Sequence, residues 1–355
     1  MRIDKESLVV FSYTFSSIGT LGVTYSFSQG NIIESLLSIL IFTPLVYVLY
    51  KMMSIQPSEG GLYDQVKFLF PKLSTLFVFF WVFSYFLYLT YTIYFITYYI
   101  LPLSHLVLIL LSSFLIAVIA IIAYLDFELY FLIPVAILQF LVLIPLPNLW
   151  IVKPLTFGVN YDTVLSNSLL PVCITLVPFL GNKIGRNLRL FFPTYVIASA
   201  FIIADSIFKP LMITYYLTSF TSFGLILAEF FAVKNIMIKR FNVKKSLIVI
   251  VFIVLALIGL INPALYYTYL IAVSLPALYV SLIIFFLSVL LYFSLSRKND
   301  VIMIIFSLIS IGLVSYGLYS SILLQYVIIQ IPVLFAISIS ASFHTFRSIR
   351  KSKSR

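Results

Sequence analysis

Val177-Pro178-Phe179-Leu180-Gly181-Asn182, VPFLGN, stands near the end of an apolar run that starts around residue 163. In a helix facing lipid this stretch is costly. Proline removes a backbone donor and drives its ring into the preceding turn, and glycine loosens the chain further. Hydrocarbon holds no water to satisfy the freed groups, so such a break survives only where protein buries it or where it lines a cavity. Asn182 is placed to hydrogen-bond the freed groups. Beyond it, Lys183-Ile184-Gly185-Arg186-Asn187-Leu188-Arg189 carries too much charge to continue as a lipid-facing half-helix. The stretch therefore predicts a helix interrupted at membrane depth.

A second interruption lies five apolar spans upstream. Ser16-Ser17-Ile18-Gly19-Thr20-Leu21-Gly22, SSIGTLG, sits inside the first long apolar run. Ser12, Ser16, Gly19 and Val23 fall at i, i+4, i+7 and i+11, a stripe of small residues on one helical face. Close helix packing explains such a stripe. An unwound mid-section that offers free N–H and C=O groups to a solute explains it too, and the Ser and Thr hydroxyls lean that way. Breaks at corresponding positions in two halves of a chain are the mark of an inverted-repeat transporter.

The composition agrees with a membrane setting. Of 355 residues 63% are hydrophobic and 9% charged, with mean hydropathy +1.16. A soluble chain carries about a quarter charged residues. The apolar runs are continuous rather than alternating, which selects membrane helices over a barrel. Gly, Pro and charged clusters divide the chain into about twelve spans: 8–28, 32–52, 73–101, 104–124, 129–147, 163–183, 192–208, 211–233, 246–262, 265–293, 301–318 and 321–346. With an inside amino terminus, all 22 lysines and arginines except Lys153 and Lys209 fall on the inner side. By the positive-inside rule both termini are expected in the cytoplasm. The net charge of +11 then reports orientation and not a nucleic-acid partner. The loops 54–72 and 148–162 are too short to fold alone, so extramembrane catalysis has no domain to occupy. A single cysteine, Cys173, and two distant histidines, His105 and His344, leave no cluster for a metal or a cofactor.

Four segments together resemble the amino acid–polyamine–organocation superfamily. Pro57-Ser58-Glu59-Gly60-Gly61-Leu62-Tyr63, followed by Asp64-Gln65-Val66-Lys67, is similar to that family's P-x-x-GG-x-Y signature between the second and third helices. SSIGTLG resembles its glycine-rich first-helix motif. PFLGN with RNLRLFFP resembles its sixth-helix motif and the basic link to helix seven. Ala232–Phe241, AVKNIMIKRF, resembles the basic inner end of its eighth helix. The fold this resemblance implies is all-α, a LeuT-type 5+5 inverted repeat with discontinuous helices one and six. The repeats would be 8–147 and 163–293, with two further helices in 301–346, in a single domain over 1–355.

The resemblance also implies a site. Backbone at Ser16, Ser17, Ile18, Gly19, Thr20, Leu21 and Gly22 would cradle a carboxylate or a similar group. Carbonyls near Val177, Phe179, Leu180 and Gly181 would receive an amine, and Phe179 would close over it. Members that couple to protons through a fifth-helix lysine find only Gln139 in that span here.

Few ionisable residues fall inside spans; Asp205 in the seventh and Glu229 in the eighth are the candidates. Asp205 reads as interfacial, because its helix ends there and Lys209 follows. Glu229 reads equally as interfacial or as a coupling group. Thr218, Ser219, Thr221 and Ser222 in the same span could line a cation site with first-helix carbonyls, or simply back-bond within their helix. The expected function is a non-enzymatic secondary active transporter of amino acids or related amines in the cell membrane. Its partners would be the small-molecule substrate, H+ or Na+ as coupling ion, and membrane lipid. A nutrient-sensing receptor of the same fold, resembling spore-germination receptors, is the rival reading.

Overall fold

The computed structural model describes residues 5–18, 30–101, 103–144, 150–154, 158–295, 300–322 and 324–353. Gly19, Thr20, Leu21 and Gly22 lie outside these residues. The chain is helical almost throughout: α1 Lys5–Ile18, α2 Ile32–Ile55, α3 Gly61–Leu69, α4 Pro71–Tyr94, α5 His105–Tyr124 and α6 Glu128–Leu143. There follow α7 Tyr161–Ser168, a 3-10 segment Leu170–Leu180, α8 Asn182–Arg186, α9 Phe191–Ile207 and α10 Met212–Phe241. The last elements are α11 Lys245–Ile258, α12 Pro263–Leu295, α13 Val301–Ser321 and α14 Val327–Lys353.

Local chemistry sets many of these boundaries. Asn31 and Glu34 form a reciprocal capping box at the start of α2. Proline opens α4 at its first turn, where no donor is lost. Asn242 ends α10 in the left-handed conformation, φ 53°. The Asp300 side chain accepts from the Met303 amide and caps α13.

Seven of the described helical stretches are long and apolar enough to cross a bilayer: Ile32–Ile55, Pro71–Tyr98, His105–Tyr124, Tyr161–Leu180, Leu188–Ile207, Pro263–Leu295 and Val301–Ser321. The protein is an all-α, multi-pass membrane protein on that count. A helix also falls within each of the other predicted spans; α6, α11 and the apolar part of α14 are shorter.

The connections sort to two ends. One end gathers Lys5 and Glu6, the Glu59–Asp64 turn, Asp126 and Glu128, Lys183 and Arg186, and Lys239 to Lys245, joined by ion pairs and a shared cavity. The other gathers Asn31, Glu34, Lys153, Asn160 and Ile207. Segments predicted to share a side meet at the same end.

Three features depart from the sequence expectation. The segment 54–72, read from the sequence only as a loop too short to fold alone, carries the amphipathic helix α3. Two short strands, β1 Trp150–Val152 and β2 Phe208–Pro210, pair antiparallel at the second end, Trp150 opposite Pro210. Asp205 is not a solvated interfacial acid. It is fully buried, and neither carboxylate oxygen has a hydrogen-bond partner among the described residues. The strand pairing and the Lys153 amide, which donates to the Ile207 carbonyl at 2.9 Å, fold chain across that end of α9.

Candidate functional site

The predicted break is present and begins early. After Ser168 the sixth span leaves α-geometry and runs as a 3-10 helix for eleven residues, far beyond the usual three or four. It ends at Gly181, φ 60°. This span is also the most enclosed of the seven, with 78% of its apolar window buried against 33–61% elsewhere. Irregular backbone at membrane depth requires such enclosure.

The freed backbone groups are accounted for locally and from α10. The Gly181 amide donates to the Pro178 carbonyl, and the Ile184 and Gly185 amides donate to the Gly181 carbonyl. The Phe179 carbonyl accepts from the Asn235 side chain at 3.3 Å. Asn182, expected in that role, is exposed instead. Because Gly181 turns the chain, the side chain of the next residue leaves the core.

The Pro57–Tyr63 motif fits into this break. A Cβ on Gly181 would stand 2.9 Å from the Glu59 Cα, and one on Gly61, itself at φ 53°, would stand 2.6 Å from the Phe179 ring. A Cβ on Gly185 would stand 2.9 Å from the Pro57 Cβ. Glycine at 61 and 181 is required twice over, by φ and by close approach. Phe179 is fully buried beneath Gly61 and stacks on Trp81 of α4, centroids 4.3 Å apart. Lys239 and Arg240 of α10 hold the motif's far side through Glu59 and Asp64.

α1, which ends in Ser16, Ser17 and Ile18, packs against the 3-10 segment that carries Val177, Phe179 and Leu180, with Gly181 directly after it. All three α1 residues are buried. The Ser16 hydroxyl donates to Gln139 Oε1 at 2.7 Å, and Ser17 back-bonds to the Tyr13 carbonyl. Gly224 of α10 closes the same junction: a Cβ there would meet Val135 at 2.8 Å and the Ser16 Oγ at 3.1 Å. Tyr13 donates to the Ala228 carbonyl at 2.8 Å, tying α1 to α10 just before Glu229. Gln139, which stands in the fifth span in place of a lysine, thus holds Ser16 near the end of α1.

Glu229 is the chemical centre of this region. It is fully buried, and neither carboxylate oxygen has a hydrogen-bond partner among the described residues. Tyr13, Tyr85, Tyr88, Tyr91 and Cys173 all lie within its electrostatic reach. Along α4 the rings of Trp81, Tyr85, Tyr88 and Tyr91 follow one another, and Tyr91 meets Tyr267 of α12 edge-on at 5.3 Å. Tyr85 and Thr175 share a hydrogen bond of 2.9 Å, which fixes this ladder to the 3-10 segment. An unpaired ionised carboxylate in such surroundings is very costly. The position therefore suits a carboxylate that takes up a proton or a cation. Ser222 is buried on the same helix; Thr218, Ser219 and Thr221 lie on α10 where side chains are outside the described residues.

A cavity of about 710 Å³ opens at the basic end between α1, α6, α8 and α10. Val9, Phe231 and Asn235 line its depth, and Phe231 meets the Tyr13 ring edge-on at 5.8 Å. The rim is ionic. Lys234, almost fully buried, pairs with the buried Glu128 and with Asp126 at 2.8 Å, and also donates to the Ala123 carbonyl. Lys245 shares Asp126 at 2.6 Å. Burial pushes the Asp126 carboxyl up, but its hydrogen bonds from Lys234 and Lys245 hold it below the usual carboxylate range. Arg186 meets Glu6 at 3.3 Å, fastening the start of α1 to α8.

Sequence reasoning marked Pro178 and Gly181, where the 3-10 segment lies and ends, and singled out Ser16, Ser17 and Glu229, which are buried. It missed Asn235 and the Glu128–Lys234 pair; the one signal available was that Asn235 and Lys234 sit together in the AVKNIMIKRF segment. No family model matches the chain, and no curated protein matches it.

Proposed function

We propose that this protein is a secondary active transporter of amino acids or related small amines, working by alternating access. One observation supports it most. A long 3-10 break, enclosed by protein, lies against α1; Glu229 is a buried carboxylate with no hydrogen-bond partner among the described residues, and a charged cavity opens at the basic end. Broken helices at a buried ionisable residue are how membrane proteins build solute and ion sites. In this reading the chain is a twelve-helix member of the amino acid–polyamine–organocation superfamily, with the LeuT-type repeat and both termini in the cytoplasm. Backbone at Ser16–Gly22 and at Val177–Gly181 binds the substrate, and Phe179 moves off Trp81 to admit it. Glu229 takes the coupling proton or cation and is not a catalytic residue.

The test is uptake into proteoliposomes of a panel of radiolabelled amino acids and amines under imposed H+ and Na+ gradients. Concentrative uptake is expected for some member of the panel. Glu229→Gln is expected to abolish it while counterflow exchange continues. Ligand-induced thermal stabilisation without any counterflow would instead favour a receptor of the same fold. Absence of uptake, counterflow and stabilisation across the panel would overturn both.

A further inference from the structure

A second concavity, of about 690 Å³, lies on the outer face of the bundle between α4, α10 and α11. Its walls are Phe79, Phe83 and Phe86 of α4, Met237 and Phe241 of α10, and Val251 of α11, with aliphatic neighbours. No polar side chain lines it, so it offers nothing to a ligand that must hydrogen-bond. Its run along α4, from Val78 to Leu87, covers about 14 Å at 1.5 Å per residue. That is about half the hydrocarbon thickness of a bilayer, the depth of one leaflet.

One end of the groove is basic. Val243, at its edge, is followed by Lys244, which precedes α11 in extended conformation; no side chain caps that helix. Phe241 packs on the Tyr63 ring at 5.8 Å, and Lys67 stands over the same ring at 6.0 Å. Lys239, Arg240 and Lys245 are occupied by Glu59, Asp64 and Asp126. Lys67 and Lys244 have no carboxylate partner among the described residues, and both are exposed. Two exposed cations without a carboxylate partner, at the mouth of a dry slot one leaflet deep, complement a phosphodiester above an acyl chain.

We propose that this groove is a binding site for an anionic phospholipid. One acyl chain lies between α4, α10 and α11, and the headgroup phosphate rests between Lys67 and Lys244. The site stands apart from the Glu229 region and does not depend on the transport reading.

The purified full-length protein in mild detergent is titrated with phosphatidylglycerol, with phosphatidylcholine of the same chains, and with free glycerol phosphate, following the thermal unfolding midpoint. Phosphatidylglycerol is expected to raise the midpoint most, and glycerol phosphate not at all. Lys67→Gln and Lys244→Gln should each weaken half-saturation by about fivefold. Val251→Trp and Val82→Trp, which fill the groove, should remove the effect. Leu247→Trp, exposed on α11 outside the groove, should leave it intact. Equal stabilisation by the two lipids, an effect from glycerol phosphate, or an undiminished response in the lysine and groove variants would each overturn the site.

Discussion

At Gly181 the chain turns through φ 60° with the Glu59 backbone directly over its Cα. With ψ −127° this lies outside the left-handed helical region, and a non-glycine residue pays about 1–3 kcal/mol for such a conformation alone. The added carbon would also meet main chain, which cannot swing aside like the tip of a side chain. Gly181→Ala is therefore predicted to lower stability by more than about 2 kcal/mol in thermal unfolding in detergent. Gly158→Ala, with nothing within 4 Å of the new carbon, is the control and should be near neutral. Equal effects at the two glycines would show that the contact between the two motifs does not constrain the break. Asn235 acts at the same spot from α10. Asn235→Leu strips the buried Phe179 carbonyl of its donor, and should cost about 1–3 kcal/mol in the same assay.

Between elements, the strongest electrostatic joint is the clip of α6, α10 and α11 around Lys234. Lys234 and Glu128 are both almost excluded from solvent. Removing one partner of such a pair leaves an uncompensated buried charge, typically about 3–5 kcal/mol. Lys234→Met should destabilise on that scale, and Lys234→Met with Glu128→Gln should recover much of the loss. If the double variant is no better than the single one, the pair is not what joins these helices. Asp126 is a different case, because its side chain is 61% exposed. Its φ of 61° suits Asn as well as Asp, so Asp126→Asn removes charge without new backbone strain. A carboxyl held below its ordinary range stabilises the fold above its unfolded pKa and loses that contribution as pH falls through the folded value. Asp126→Asn should thus lower stability by about 0.5 kcal/mol, after allowance for exposure, evenly from about pH 5 to 8. The gap from the parent protein should close below about pH 4. A gap that instead widened on acidification would mean that the two lysines do not hold this carboxyl down.

At the scale of the whole molecule, what was legible in the sequence is what depends on local composition. Apolar runs mark the helices, Pro178 and Gly181 mark the break, and the basic segments mark a common end, because each signal resides in a few consecutive residues. Asn235 under the Phe179 carbonyl, Lys234 between Asp126 and Glu128, and the pairing of Trp150–Val152 with Phe208–Pro210 join positions far apart in the chain. Single-chain periodicity carries no record of such partners. The same limit applied to Asp205, whose position near the end of its helix suggested an interface and whose burial local sequence does not record. The segments at the two ends alternate along the chain as a multi-pass topology demands, and by the positive-inside rule the basic end is predicted to face the cytoplasm. That orientation can be tested on two exposed, described positions. Cys173 is buried and is the only native thiol, so Cys173→Ala provides a silent background. Tyr161→Cys replaces a residue 76% exposed at the start of α7, at the end opposite the basic cluster. Asn242→Cys replaces an exposed residue directly after Arg240 and Phe241, within that cluster. A membrane-impermeant maleimide added to intact cells should label the first and spare the second until the membrane is permeabilised. Labelling of the second alone would invert the topology, and labelling of both in intact cells would mean that the two ends do not face opposite sides.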